Sequence, residues 1–374
     1  MSPTEGSRAK DMAADTARDM TPDTARHASR DTAGGILRAR GLSVRIDQRA
    51  LLVCGALAMA ALAVSVVLIG TGDYRIAPVD VLRTLTGHGD PGQEFVVRQL
   101  RLPRVVVGLL VGAALGMAGA AFQTVTRNPL GSPDVVGFGQ GSAAGALIVI
   151  VLLKGSPYEV SAGAVAGGLL TGLAVYLLAW KRGVHGYRLV LVGIGASAVL
   201  AAVNSYLLVR ADFVDAARAV VWITGSLDGR DWDQVWPLLT ACALLMPVLL
   251  GQGRALRITE MGDDAASALG VRVERTRLIT VLAAVLLTAC ATAAAGPIAF
   301  IALTAPQLAH RLTRSPGVGL LPSALMGAAL VVGADWAAQR AFGSGQVPVG
   351  VATGVLGGGY LLWLLISERT AGRI

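Results

Sequence analysis

Apolar residues along this chain come in long blocks, not in the period-two alternation of a half-buried strand. From about residue 50 onward the blocks approach 20 residues each, the length that crosses a hydrocarbon core. Residues 101–145 hold the unit around which the others are arranged. Two arginines flank a proline, and an apolar run follows with Gly108, Gly112 and Gly116 spaced four apart. A polar break then runs from 123 to 133, with Pro129 and Pro133, and a second apolar run opens on glycines. This pattern predicts one membrane helix, a tight polar turn and a second membrane helix. Further spans are predicted at 51–69, 161–180, 189–209, 235–250, 278–295, 298–312, 318–336 and 347–366. The predicted class is an all-α polytopic membrane protein with about ten transmembrane helices.

The interruptions carry their own signals. Residues 1–48 mix Asp, Arg, Thr and Ala and repeat Asp-Thr-Ala at Asp15, Asp23 and Asp31. So little apolar surface cannot offset chain entropy, so the tail is expected to be disordered, ahead of a membrane domain at 49–370. Residues 71–99 read as a mixed-charge outer segment, with a short amphipathic helix near Pro78–Leu82. Residues 211–233 are too short to cross and predict a short outer helix around Val220–Ile223. Residues 253–277 are rich in arginine, and their centre, Met261 to Leu269, has helix character. Asp263 and Asp264 suit a helix N-terminus, and Gly270 would stop the helix. Arg45 and Arg49, Lys181 and Arg182, the arginines of 253–277, Arg311 and Arg314, and Arg369 and Arg373 all mark cytoplasmic segments. Both termini are then cytoplasmic.

Composition narrows the choice. The chain of 374 residues is 54% hydrophobic and 15% charged, against about 25% charged in soluble domains. The formal charge of +8 would suggest nucleic acid in a soluble protein; here arginines flank spans, so it reflects membrane orientation and no nucleic-acid partner is expected. Cys54, Cys242 and Cys290 lie in apolar runs without metal-ligand spacing. The Gly108–Gly112–Gly116 ladder predicts close helix packing, and Gly350, Gly354 and Gly358 in the last span read the same way. Gly137, Gly139 and Gly141 have a nucleotide-loop look but open a membrane helix, so they too read as packing glycines. No lysine follows a glycine, so phosphate-loop ATP hydrolysis is absent from this chain. No set of nucleophile, base and acid and no metal set stands out, and His310 reads as a solvated helix-end residue. Within the spans only Asp335 approaches a buried charge, which argues against an ion-coupled carrier.

Six stretches in order carry a resemblance: RLPR from Arg101; GAALGMAGAAFQTVTRNPLGSPDVVGFGQGSAAG; MGDDAASALGV; GPIAFIALTAPQLAHRLTR; PSALMGAALVVGADWAAQR; and QVPVGVATGVLGGGYLLWLL. Over residues 50 to 370 the chain resembles the FecCD family of ABC-importer permeases, membrane subunits of siderophore, haem and vitamin B12 uptake. It looks most similar to the siderophore branch of ferric-enterobactin type.

The resemblance implies a type II ABC importer permease fold and import of an iron(III)-siderophore across the cytoplasmic membrane, with haem or cobalamin as the alternative cargo. It implies two ABC ATPases that use ATP, a second FecCD-type permease (a heterodimer being favoured) and an extracytoplasmic binding protein. No cofactor is bound directly and the chain is not itself an enzyme. By position it implies docking of the binding protein on Arg101, Arg104 and Arg340. It implies a cytoplasmic gate at Asn128 and Leu130, partnered by Gly186 and Tyr187. It also implies an ATPase-coupling helix at 259–270 with Met261, Gly262, Asp263, Ala265, Ala266, Leu269 and Gly270. The chain departs from the family pattern at Gln307, where many members have His, and at Gln346, where many have Glu.

Overall fold

A computed structural model of the chain describes residues 34–39, 42–72, 74–134, 136–180, 186–315, 317–341 and 347–370. Two strands, β1 (Gly34–Ala39) and β2 (Leu42–Asp47), pair antiparallel with Gly34 opposite Asp47 and Ala39 opposite Leu42. This hairpin falls in a separate compact unit ending at Leu52. The expectation of a disordered tail did not include it; residues 1–33 lie outside the described residues.

The rest is helical. In chain order come α1 (Gln48–Gly70), α2 (Pro78–Leu85), α3 (Pro91–Thr126), α4 (Phe138–Leu153), α5 (Pro157–Ala179), α6 (Gly186–Arg210) and α7 (Phe213–Ile223). Then follow α8 (Trp232–Thr259), α9 (Asp263–Ala268), α10 (Val273–Ala295), α11 (Ile301–Thr313), α12 (Leu320–Ala341) and α13 (Val349–Thr370). Seven of these are long and apolar enough to cross a membrane: α1, α3, α5, α6, α8, α10 and α12. The shorter apolar helices α4 and α13 join them. The short α11 follows α10 after the break at Gly296 and Pro297 and completes a fold of about ten spans. The short non-spanning helices α2, α7 and α9 fall where the sequence placed them.

Two boundaries differ from expectation. The second span does not begin at the RLPR stretch: α3 starts ten residues earlier, at Pro91, and passes through a π-helical turn at Val96–Arg101. There the Leu102 N–H donates to the Val97 carbonyl, five residues back. Pro103 offers no N–H, and the widened turn re-registers the ladder around it. Arg101 is therefore a helical residue, not a loop residue. Likewise α8 continues to Thr259, beyond the apolar block, carrying Arg254 and Arg257 and holding Pro237 and Pro247 inside it. Apolar content marks the hydrocarbon-length stretch of a helix; the helix itself can run on.

The bundle is organised about α3 and α10, whose apolar stretches are the most buried. α12 and α11 pack on α3, and α5 packs on α4. In lipid there is no hydrophobic drive between helices, so association depends on close backbone approach. The glycines of α3 provide it. A Cβ on Gly112 would overlap the Gly327 carbonyl, one on Gly116 the Ser323 carbonyl, and one on Gly119 the Ala302 carbonyl. On α4, Gly141 meets Thr171 and Gly145 meets the Gly163 backbone; of the three glycines that resemble a nucleotide loop, Gly137 and Gly141 are closely packed and Gly139 is not. The last span differs from its expectation. Gly350 lies against the Thr224 carbonyl, but Gly354 and Gly358 face open space.

Gly116→Leu is expected to destabilise the detergent-solubilised subunit by at least the ~1–3 kcal/mol typical of overpacking, because its obstacle is backbone. Gly354→Ala is expected to leave the melting temperature unchanged. Thermal denaturation followed by size-exclusion fluorescence distinguishes the two.

Candidate functional site

Chemistry-bearing residues gather on either side of the α3 glycine contacts, around Arg101 and Arg104 and at the C-terminal end. At the first end, Pro103 and the π turn set Arg104 inward. Its Nε and Nη2 donate to both carboxylate oxygens of Asp335 on α12, at 3.1 and 2.8 Å, and its Nη1 donates to Asp228 at 3.1 Å. Gln339 adds a third donor to Asp335 at 3.1 Å. Asp335 is only 1% exposed. A carboxylate so placed needs a paired cation, since desolvating an unpaired charge costs several kcal/mol (~3–5 when one partner of a buried pair is removed). The single in-span acid of the sequence is thus one half of a forked ion pair.

Arg101 sits one turn earlier and bonds to backbone. Its Nη1 donates to the Ile69 carbonyl at 2.6 Å and its Nη2 to the Tyr74 carbonyl at 2.7 Å. Ile69 is near the C-terminus of α1, where carbonyls lack helical partners. Gly72, at φ +132°, clears the way, for a Cβ there would fall 2.7 Å from the Arg101 guanidinium. Arg340 is different. It is exposed and lies over the Trp336 ring, 5.0 Å from its centroid.

At the other end, α3 stops at Thr126 and Arg127 adopts a left-handed φ of 50°. The following turn is closed locally. The Leu130 N–H donates to Asn128 Oδ1 at 2.9 Å, and the Gly131 N–H to the Asn128 carbonyl at 2.9 Å. Gln307 of α11 donates to the Pro129 carbonyl at 2.7 Å, which gives the Gln307 departure a structural use. Gln346, the other departure, lies outside the described residues. Gly186 opens α6 directly against the turn, because a Cβ there would lie 2.7 Å from the Thr126 carbonyl. Leu130 and Tyr187 are exposed. Of the residues expected at a gate, Gly186 meets the end of α3 at Thr126, two positions before Asn128.

The short helix α9 stands beside this turn. Gly262 at φ +114° precedes it and Gly270 at φ +82° ends it, as the stop signal predicts. Ala266 is buried and Ala265 half-buried, whereas Met261 and Leu269 are 71% and 63% exposed. Asp263 accepts from Arg277 of α10 at 3.2 Å and from Arg127 at 2.5 Å. The same Arg127 Nη2 donates to the Thr259 carbonyl at 2.7 Å. Burial alone would raise the Asp263 carboxyl; Arg277, and then Arg127, outweigh it and hold the carboxyl below its ordinary range. The group stays ionised at neutral pH, and its contribution to stability is lost only as pH falls below the ordinary carboxylate value of about 4.

A cavity of about 300 Å³ opens between the turn and α11, lined by Gln123, Arg127, Asn128, Glu260, Pro306 and His310. Inside the loop leading to α4, Asp134 Oδ2 is enclosed without a hydrogen-bond partner among the described residues, and burial pushes that carboxyl up to about 7. Sequence reasoning named neither Arg127 nor Asp134. The available signal for Arg127 was its place beside Asn128 at a helix end. Among the described residues no group of three His, Cys, Asp or Glu converges as a metal site.

The comparisons with known proteins meet this geometry. The model of the FecCD transport family matches residues 50–367. The chain belongs to the FecCD transport family. The ferric enterobactin transport system permease protein FepG of Escherichia coli (strain K12) is 43% identical, over 87% of this chain and 98% of that protein. The iron(3+)-hydroxamate import system permease protein FhuG of Bacillus subtilis (strain 168) is 38% identical, over 80% and 91%. Among solved structures, a chain described as an inward-facing conformation of a metal-chelate type ABC transporter superposes with a TM-score of 0.74 at 26% identity, over 85% of this chain and 99% of that one. The FecCD fold therefore accounts for the helical domain, and the chain is a membrane-embedded transport subunit.

Asp335→Ala is expected to leave Arg104 with Asp228 in place of its bidentate partner and to cost this FecCD chain up to ~3–5 kcal/mol, with little dependence on ionic strength because Asp335 is buried. Arg340→Ala is expected to cost under ~1 kcal/mol. Denaturation in detergent at low and high salt measures both.

Proposed function

We propose that the chain is the permease subunit of an ABC importer that passes an iron(III)-siderophore across the cytoplasmic membrane. ATP hydrolysis on partner ATPases drives it. The cargo follows from relatives whose names specify ferric enterobactin and iron(3+)-hydroxamate. Haem or cobalamin import remains the second reading only through the breadth of the family that the sequence resembles.

The observation that carries the mechanism is α9. It is a short helix outside the spans, held by Asp263 to Arg277 and Arg127, with Met261 and Leu269 turned outward. Exposed apolar side chains on a rigid, ion-paired tip suit a groove on a soluble partner. The ATPase is that partner in this proposal, and two such subunits serve a pair of permeases. Gly262 and Gly270 set the ends of the tip, and Ala265 and Ala266 pack its inner side.

Charge supports the orientation. Arg254, Arg257, Arg272, Arg275, Arg277, Arg311 and Arg314 lie at the Asn128 end, while Asp228, Asp231 and Asp233 lie at the Arg104 end. The positive end is cytoplasmic by the inside rule. The termini of the membrane domain agree with it. α1 ends beside Arg101, so it begins at the opposite face, and the Arg311 guanidinium stacks on Tyr360 and Trp363 near the end of α13.

The Asn128–Leu130 turn, with Gly186 and Tyr187, acts as the cytoplasmic gate. The opposite end receives the extracytoplasmic binding protein. There Arg340 is the exposed member of the three arginines, and Arg101 and Arg104 shape the rim through their own-chain bonds. α6 is the least covered span, which supports its placement toward a second FecCD-type permease, favoured as a different chain.

Met261→Asp with Leu269→Asp is expected to reduce co-purification of the ATPase at least tenfold, about 1.4 kcal/mol or more, while the subunit stays in the membrane; unchanged co-purification would refute the coupling role of α9. Arg340→Glu is expected to weaken association with the binding protein in a salt-dependent way, and an unchanged salt slope in a binding titration would refute docking there.

A further inference from the structure

The gate and the coupling tip are separate elements, and one side chain joins them. α9 packs chiefly on α8 and α10, not on α3. Arg127 reaches across from the end of α3. Its Nη2 bonds both the carbonyl of Thr259, the last residue of α8, and the carboxylate of Asp263, the first residue of α9. On its own chain Arg127 is the residue directly before Asn128, and its left-handed backbone forms the corner between α3 and the turn. Any rotation or shift of α9 that moves Asp263 therefore pulls on the corner from which the turn hangs.

The rest of the turn is braced elsewhere. Gln307 holds Pro129 from α11, and Gly186 backs Thr126 from α6. Arg277 holds Asp263 from α10, so Asp263 is shared between an arginine on a bundle helix and an arginine on the turn. The side chain of Arg127 is 44% exposed and that of Arg277 only 10%. Exposed pairs add little to stability, so the Arg127 bond is dispensable for folding. Its directional fork onto a carbonyl and a carboxylate fixes a distance instead.

We propose that Arg127 is the positioning residue that transmits displacement of α9 to the Asn128–Leu130 gate turn. The proposal rests on the reading of α9 as the ATPase-docking tip and of the turn as a gate. It makes the α3 corner, not the α8 or α10 backbone, the route from ATP to gate.

The test uses the whole importer complex in proteoliposomes, with ATP and vanadate as the probe, so that no cargo need be known. Leu130→Cys reports the gate through its modification rate by a charged methanethiosulfonate, with native cysteine background subtracted from the complex lacking that substitution. In the parent, ATP with vanadate changes this rate. In Arg127→Gln the change is expected to shrink about fivefold or more, with ATPase co-purification and ATP turnover retained, and Arg127→Lys is expected to restore part of it. A full-sized change in Arg127→Gln overturns the proposal. Loss of the bound ATPase in Arg127→Gln also overturns it, since the contact would then only shape α9. A parent complex without any ATP-dependent change refutes the gate reading itself, and the transmission role falls with it.

Discussion

The structure depends on how closely α3 can approach its neighbours. Gly112, Gly116 and Gly119 present bare backbone to Gly327, Ser323 and Ala302, so α12 and α11 lie against α3 with no side chain between them. Where helices cannot be pressed together by exclusion of water, such contact is the source of cohesion. It also fixes α3 as a rigid rod. The candidate site residues are attached to that rod or measured from it: Arg101 and Arg104 just before the glycine contacts, Arg127 and the Asn128 turn beyond its C-terminal end.

The two ends solve different electrostatic problems. At the first, Arg104 and Asp335 neutralise each other inside the bundle, and the pair ties α3 to α12 just beyond the glycine contacts. At the second, Arg127 and Asp263 are half exposed and Asp263 is shared. Asp263 lies between Arg277 and Arg127, so it can give up one partner without being left unpaired. A buried, bidentate pair suits a fixed joint; a more exposed, shared pair suits a movable one. This contrast fits a permease in which one end is held while the other opens.

Much of the fold was legible because the membrane imposes strong rules. Block length gave the spans, glycine spacing gave the α3 face, and Gly270 gave the end of α9. What failed to show were features without a length or period. The start of α3 at Pro91 was hidden by Glu94 and Arg98, because a helix leaving the hydrocarbon keeps its backbone bonds while its composition turns polar. The hairpin at residues 34–47 was hidden by the polar composition of the tail around it. Gly354 and Gly358 matched the α3 glycines in spacing but not in environment.

The candidate site divides in the same way. By itself the sequence determined which residues could matter at each end, since motif order and charge bias are linear properties. Only the tertiary structure decided their partners. Arg104 and Asp335 are separated by 231 positions, Arg127 and Asp263 by 136, and no local pattern encodes such pairs. It turned three arginines of one expected role into a backbone anchor, an ion-pair fork and an exposed cation stacked on Trp336. The physical reason is that a guanidinium's role depends on which acceptors the packed helices bring within about 3 Å, and packing is settled by contacts between helices distant in sequence.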